Sequence, residues 1–91
     1  MVLHLSDQFK KDLKVYRKKR ALKESAKIWE LILEIQTYWE RPLEGNGNPE
    51  LLKHLGANVY SRRITGEHRL IYRLGEGHIE LISCIGHYTS V

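Results

Sequence analysis

Cysteine occurs once in this chain, at Cys84, so no intramolecular disulfide can form and the sequence suits a reducing compartment. Cys84 stands in an apolar run without a second thiol and is expected to pack in the core. No apolar stretch approaches the ~18 residues that a membrane span needs, so no membrane partner is expected. Met1 to Asp7 has no long apolar segment after a basic start, which argues against a signal peptide. The histidines are scattered and no Asp/Glu/His cluster has ligand spacing, so neither a metal nor another cofactor is expected. Repeats, low-complexity tracts and linkers are missing too, and residues 1–91 are expected to form a single domain.

What is present is ordinary for a folded protein: 42% apolar and 29% charged residues, a balance that excludes a disordered chain. The net charge is +4, and its distribution matters more than its size. Eight of the fifteen basic residues (Lys10, Lys11, Lys14, Arg17, Lys18, Lys19, Arg20, Lys23) fall in one block. Such a block is either a solvated helix face or a surface for a polyanion such as nucleic acid.

Val2 to Leu5 reads as a short strand, and Ser6 or Asp7 can cap a following helix. Phe9, Leu13 and Tyr16 recur at helical spacing, leaving the lysines on the outer face. A second helix is expected over Leu22 to Trp39. Its core stripe is Ile28, Ile32, Ile35 and Trp39, widened by Trp29, Leu31 and Tyr38. Pro42 ends it, and "PLEGNGNP" from Pro42 to Pro49 is a loop. "ELLKHL" is expected to add one helical turn. Strands are expected at Val59–Ile64, His68–Leu74 and His78–Cys84, joined at Thr65–Glu67 and Gly75–Gly77. The fold class is therefore α+β: two N-terminal helices on one face of a small, mainly antiparallel four-stranded sheet.

Alternation along the strands separates two faces. Arg69, Ile71 and Arg73 share one, and Leu70, Tyr72 and Leu74 the other. Arg63 and Arg69 are expected to be close across the hairpin and to project onto a common open face. Like charges placed opposite each other destabilise a hairpin unless they are exposed or an anion is expected.

Three blocks, "RPLEGNGNPELLKHL", "SRRITGEHRLIY" and the late "HY", resemble the YoeB/Txe branch of the RelE-like bacterial toxins. The resemblance covers about residues 42 to 88 closely and the first 40 only in architecture. It implies a RelE-like, microbial-RNase-like fold. It also implies the toxin of a type II toxin–antitoxin module, a ribosome-dependent endoribonuclease cleaving mRNA in the ribosomal A site. By position, Glu50 would be the general base, His87 the general acid, and Arg69 a catalytic phosphate ligand together with Lys53 and Arg63. Tyr88 would hold or stack on a nucleotide. The same pattern favours Arg63 for the active face and leaves Arg62 to the opposite side or edge, pairing with Glu67 or rRNA. His68 is assigned to hairpin structure.

These residue types suit RNA chemistry. The 2′-hydroxyl is an internal nucleophile; cleavage needs a base for its proton, an acid for the leaving 5′-oxygen, and cations for charge gathering on phosphorus. No metal is required. The implied partners are a YefM/Phd-like antitoxin with a disordered acidic tail, the ribosome and mRNA, and a homodimer is also compatible. Lys10, Lys11, Lys14 and Lys18 would dock on rRNA, in the bacterial cytoplasm. Two other readings stay open: a non-catalytic protein that blocks translation by occupying the A site, and a ParE-like gyrase-directed toxin.

Overall fold

A computed structural model describes residues 1–86. Eight short elements follow one another: β1 (Val2–Leu5), α1 (Asp7–Lys18), α2 (Leu22–Thr37), β2 (Glu50–Leu51), a 3-10 turn (Lys53–Leu55), β3 (Val59–Arg63), β4 (Arg69–Gly75) and β5 (His78–Ser83). The sheet order is β1-β5-β4-β3-β2. β1 runs parallel to β5, and the other pairs are antiparallel.

Ser6 starts α1 by accepting the Phe9 N–H at 3.0 Å, and its hydroxyl donates to Ile82 O at 2.7 Å. One side chain thus caps the helix and ties it to β5. Asp7 in the first turn and Arg17 and Lys18 in the last complement the helix dipole. The chain reverses through Arg20, which takes a left-handed φ of 53°, and α2 follows. Phe9, Tyr16, Ile28, Leu31, Ile32 and Ile35 from the helices close over Leu70, Tyr72, Ile79 and Leu81 of the sheet. Full burial of each large aliphatic side chain is worth ~1.5–3 kcal/mol, so this layer holds the helices on the sheet. Cys84 lies in it, fully buried.

The α+β class and the placement of both helices on one face agree with the sequence reading. Three details differ. The sheet has five strands, because Glu50 and Leu51 pair with Ser61 and Tyr60 instead of opening a helical turn; the turn is confined to Lys53–Leu55. α2 ends at Thr37, so Trp39 falls beyond the helical stripe. Trp29 and Trp39 are 47% and 48% exposed and do not belong to the core. Trp29 follows Ile28 directly, and about 100° of helical rotation carries it off the inner face.

The face away from the helices is partly covered as well. Leu52, Val59 and Ile71 are buried there with Leu55 and Ile82 packed against them, so the segment after β2 folds under the sheet edge. Between β4 and β5 the register shifts by one residue: Ile71 faces Ser83 while Tyr72 faces Leu81, which makes Ile82 the extra residue of a bulge.

Candidate active site

The loop from Pro42 to Pro49 carries Glu50 into the sheet, and one arginine holds it. Arg62, 1% exposed, lies on the helix side of β3. Its Nη1 donates to Asn46 O at 2.8 Å and its Nη2 to Glu44 O at 2.7 Å and Pro42 O at 3.4 Å, while Nε donates to Tyr72 Oη at 3.0 Å. A rigid guanidinium fork can satisfy several carbonyls at once, which a lysine cannot. Arg62 is therefore on the side opposite Arg63, as expected, but it pairs with neither Glu67 nor a surface ligand. It is the internal anchor of the loop. Glu34 grips the loop from α2, accepting the Asn46 N–H at 3.2 Å and the Asn46 side-chain amide at 3.1 Å. Gly47 has φ +89°, and a Cβ there would stand 2.9 Å from Arg62 Cβ, so only glycine fits this close approach. Gly47 O accepts the Arg63 N–H.

Register then decides which side chains share a face. Glu50 stands opposite Ser61, Ser61 opposite Ile71, and Ile71 opposite Ser83, in one row across four strands. Two residues along β3 is Arg63, directly opposite Arg69. Side chains in register and two residues apart project to the same side. Glu50, Arg63 and Arg69 therefore emerge on the face away from the helices, Glu50 about 7–8 Å diagonally from Arg63. Ser61 and Ser83 are buried on either side of Ile71, so the floor beneath the charged groups is small and neutral. Glu50, Lys53 and Arg63 are exposed, and Arg69 is half-buried. Among the described residues the one ion pair is Arg73 with Glu80 at 2.8 Å, which leaves Arg63 and Arg69 without carboxylate partners there. Arg69 Nη1 instead donates to Thr65 O at 3.1 Å, folding the guanidinium over the β3–β4 turn.

The chain beyond β5 returns to the same corner. Arg69 N–H donates to Gly86 O at 2.8 Å, and Gly86 N–H donates to His68 Nδ1 at 2.9 Å. His87 and Tyr88, expected as acid and nucleotide contact, lie outside the described residues. The expected docking lysines Lys10, Lys11, Lys14 and Lys18 are all exposed on α1, across the sheet from Glu50 and Arg63.

Asp12, which the sequence reading did not single out, and Tyr16, expected there only as part of the helix stripe, hold this C-terminal turn. Asp12, 5% exposed, accepts the Cys84 N–H at 2.9 Å, and Tyr16 Oη donates to Cys84 O at 2.6 Å. A carboxylate inside the Phe9–Leu13–Tyr16 stripe was the available signal, because a charge on a buried helix face needs a built partner. Burial pushes the Cys84 thiol up to about 12, with the Asp12 carboxylate adding to the effect, and raises the Tyr16 phenol as well. Tyr72 is raised by burial in spite of its hydrogen bond from Arg62. Among the described residues no group of three or more His, Cys, Asp or Glu is arranged as a metal site.

A family model for the YoeB-like toxin of bacterial type II toxin-antitoxin systems matches residues 5–88. The chain belongs to this family. It is similar to toxin YoeB of Escherichia coli strain K12, 44% identical over 62 residues that cover 68% of this chain and 70% of the relative. Its fold is similar to the structure of the YoeB dimer from Staphylococcus aureus, with a TM-score of 0.85, 39% identity and coverage of 97% and 98% of the two chains. The heterotetrameric YoeB–YefM toxin–antitoxin complex from Staphylococcus aureus gives a TM-score of 0.79 at 38% identity, again covering 97% and 98%. The YoeB family match begins within β1 and so takes in both helices, where the motifs alone gave only an architectural likeness. This YoeB-type toxin of the RelE-like superfamily has no helix, among its described residues, long and apolar enough to cross a membrane.

Proposed function

We propose that this toxin is a ribosome-dependent endoribonuclease that cleaves mRNA in the A site by metal-free transesterification. The observation that carries the proposal is the shared face of Glu50, Arg63 and Arg69. A carboxylate stands there beside two guanidiniums that have no carboxylate partner among the described residues. Glu50 takes the proton of the 2′-hydroxyl as its oxygen attacks phosphorus. Arg63, Arg69 and Lys53 bind the charge that gathers on the phosphoryl oxygens, and His87 gives a proton to the 5′-oxygen as the P–O5′ bond breaks. General acid–base steps are each worth about 10²–10⁴-fold, and a preorganised cation removes the cost of reorganising water around the developing charge. Tyr88 stacks on a nucleotide, and the α1 lysines dock on rRNA through backbone phosphates.

In its module the toxin pairs with a YefM-like antitoxin and forms dimers, as the Staphylococcus aureus relatives are named as doing. It acts in the bacterial cytoplasm, where the ribosome is. The test is cleavage of an mRNA on programmed ribosomes, followed by analysis of the new ends. A 2′,3′-cyclic phosphate and a 5′-hydroxyl are expected, and Glu50→Ala should lower the rate at least about 10²-fold with ribosome binding kept. Stalled ribosomes carrying intact mRNA would sink the nuclease reading in favour of a translation blocker.

A further inference from the structure

After Ser83 the chain is no longer in the sheet, yet it is fixed for three more residues by side chains from two elements. Asp12 and Tyr16 of α1 bind the N–H and the carbonyl of Cys84. His68, just before β4, accepts the Gly86 N–H at 2.9 Å, while the Arg69 N–H donates to Gly86 O at 2.8 Å. Gly86 takes φ +79°, a conformation that costs a glycine little but that glycine alone does not enforce. The peptide groups on both sides of Gly86 are therefore oriented by His68 and by the β4 backbone.

The His68 side chain has one hydrogen bond among the described residues, and it goes to Gly86. Its ring otherwise meets the edge of Tyr16 at 6.0 Å between centroids. A ring nitrogen that faces a backbone N–H must present its lone pair, so His68 Nδ1 is the acceptor in this contact. We infer that His68 is a positioning residue for RNA cleavage: by accepting the Gly86 N–H it fixes the Ile85–Gly86 peptide and, together with the Arg69 N–H on Gly86 O, sets the conformation of the glycine from which the chain continues to the general acid, His87. This inference rests on the reading of His87 as the acid. The demand is geometric, since a displacement of about 1 Å at a reacting group can cost about 10²-fold in rate. A glycine next to that group would permit such a displacement if nothing held it.

The experiment separates the acceptor from the ring. His68→Phe keeps the ring against Tyr16 and removes the acceptor, whereas His68→Asn places an amide oxygen where Nδ1 stands and removes the ring. With ribosomes as substrate, His68→Phe should lower kcat about 100-fold with KM unchanged. In 15N–1H spectra its Gly86 amide should lose its hydrogen-bonded shift and exchange faster. His68→Asn should recover kcat to within about tenfold of the parent and restore the Gly86 amide. If His68→Phe does not fold, His68→Gln replaces it, because its amide oxygen reaches the place of Nε2 rather than Nδ1. A loss variant that cuts within about threefold of the parent overturns the inference, as does a His68→Asn with a restored Gly86 amide and no recovery of kcat. His87→Ala tells the two failures apart. If it cuts like the parent, the acid reading falls and the inference with it; if it is dead while His68→Phe is fully active, only the inference falls.

Discussion

Arg62 and Arg63 are neighbours in sequence, and the two faces of the sheet use them in opposite ways. On the helix side Arg62 is closed off from water and spends its guanidinium on three loop carbonyls and the Tyr72 hydroxyl. On the other side Arg63 is exposed and stands against Arg69, with no carboxylate opposite either among the described residues. A buried guanidinium is tolerable only when its donors are satisfied, so Arg62 is fixed in one geometry. A pair of like charges with Arg63 exposed and Arg69 half-buried is tolerable because water still screens it, and it remains available to an anion. The same residue type is thus a strut on one face and an unpaired cation, among the described residues, on the other. The strut sets the path of the loop that delivers Glu50 to the face of Arg63 and Arg69.

The largest effect that would break this contrast is on stability. Arg62→Ala leaves the Pro42, Glu44 and Asn46 carbonyls without their donor and should cost at least about 1–3 kcal/mol, the range for leaving a buried acceptor unsatisfied. Urea unfolding would measure it, and Arg63→Ala under the same conditions should stay within about 0.5 kcal/mol of the parent. Equal losses from the two variants would erase the distinction between a structural strut and an open cation. Next comes rate. Arg63→Ala should lower ribosome-dependent cleavage about 10²-fold, as removal of a positioned donor to developing charge does, with its melting temperature unchanged. A rate within about threefold of the parent would remove Arg63 from the phosphate site.

A smaller effect concerns α1, on the helix side of the sheet. Replacing Lys10, Lys11, Lys14 and Lys18 with glutamine should flatten the plot of log affinity for ribosomes against log salt, by roughly 0.7–0.9 for each phosphate that is no longer neutralised. An unchanged slope would make the lysines a solvated face. The last effect is alkaline. Burial keeps the Cys84 thiol protonated up to about 12 against an ordinary 9.0, and Tyr72 is shifted upward from 10.0. Above pH 9 the unfolded chain releases protons that the folded chain retains. Stability should therefore be whole below pH 9 and decline as pH rises toward 12. In urea midpoints taken every half unit, Cys84→Ser should move the onset of that decline to about pH 10. A flat profile from pH 8 to 11 would contradict the burial argument.

Periodicity made most of the architecture legible. The α1 stripe, the α2 isoleucines and the strand alternation each report one local rule, and each strand of the 59–84 region ends within one residue of its expected place. β2 was not legible, because two residues carry no periodic signal and Glu50–Leu51 is a strand only through its pairing with Ser61 and Tyr60. Trp29 and Trp39 lie outside the core although they are large and apolar, because helical rotation turns Trp29 outward and α2 ends before Trp39. Within the candidate site, Arg63 and Arg69 sharing a face followed from alternation, while Glu50 joined them only once β2 was in register. Arg62 could have been placed from its position opposite Leu70, a core residue, but its loop partners lie 16 to 20 residues away and leave no local trace. Asp12 and Tyr16 are of the same kind, with partners 72 and 68 residues distant.

The parallel pairing of β1 with β5 has a bearing on synthesis. Among the described residues β1 is an edge strand, and it pairs in the sheet with β5. Contacts between such distant segments form late, because the chain must close a long loop before they reward it. During translation, α1 and α2 can form as soon as they emerge, but β1 must wait until residues 78–83 have been made. Ser6, Asp12 and Tyr16 wait with it for Ile82 and Cys84. A nascent chain stalled short of β5 therefore has no assembled Gly86 turn, and its apolar helix face stays uncovered at the strand that finishes the layer. The sheet that covers the helices is therefore closed only after residues 78–83 have been made, and until then the apolar helix face is a surface that a binding partner could reach.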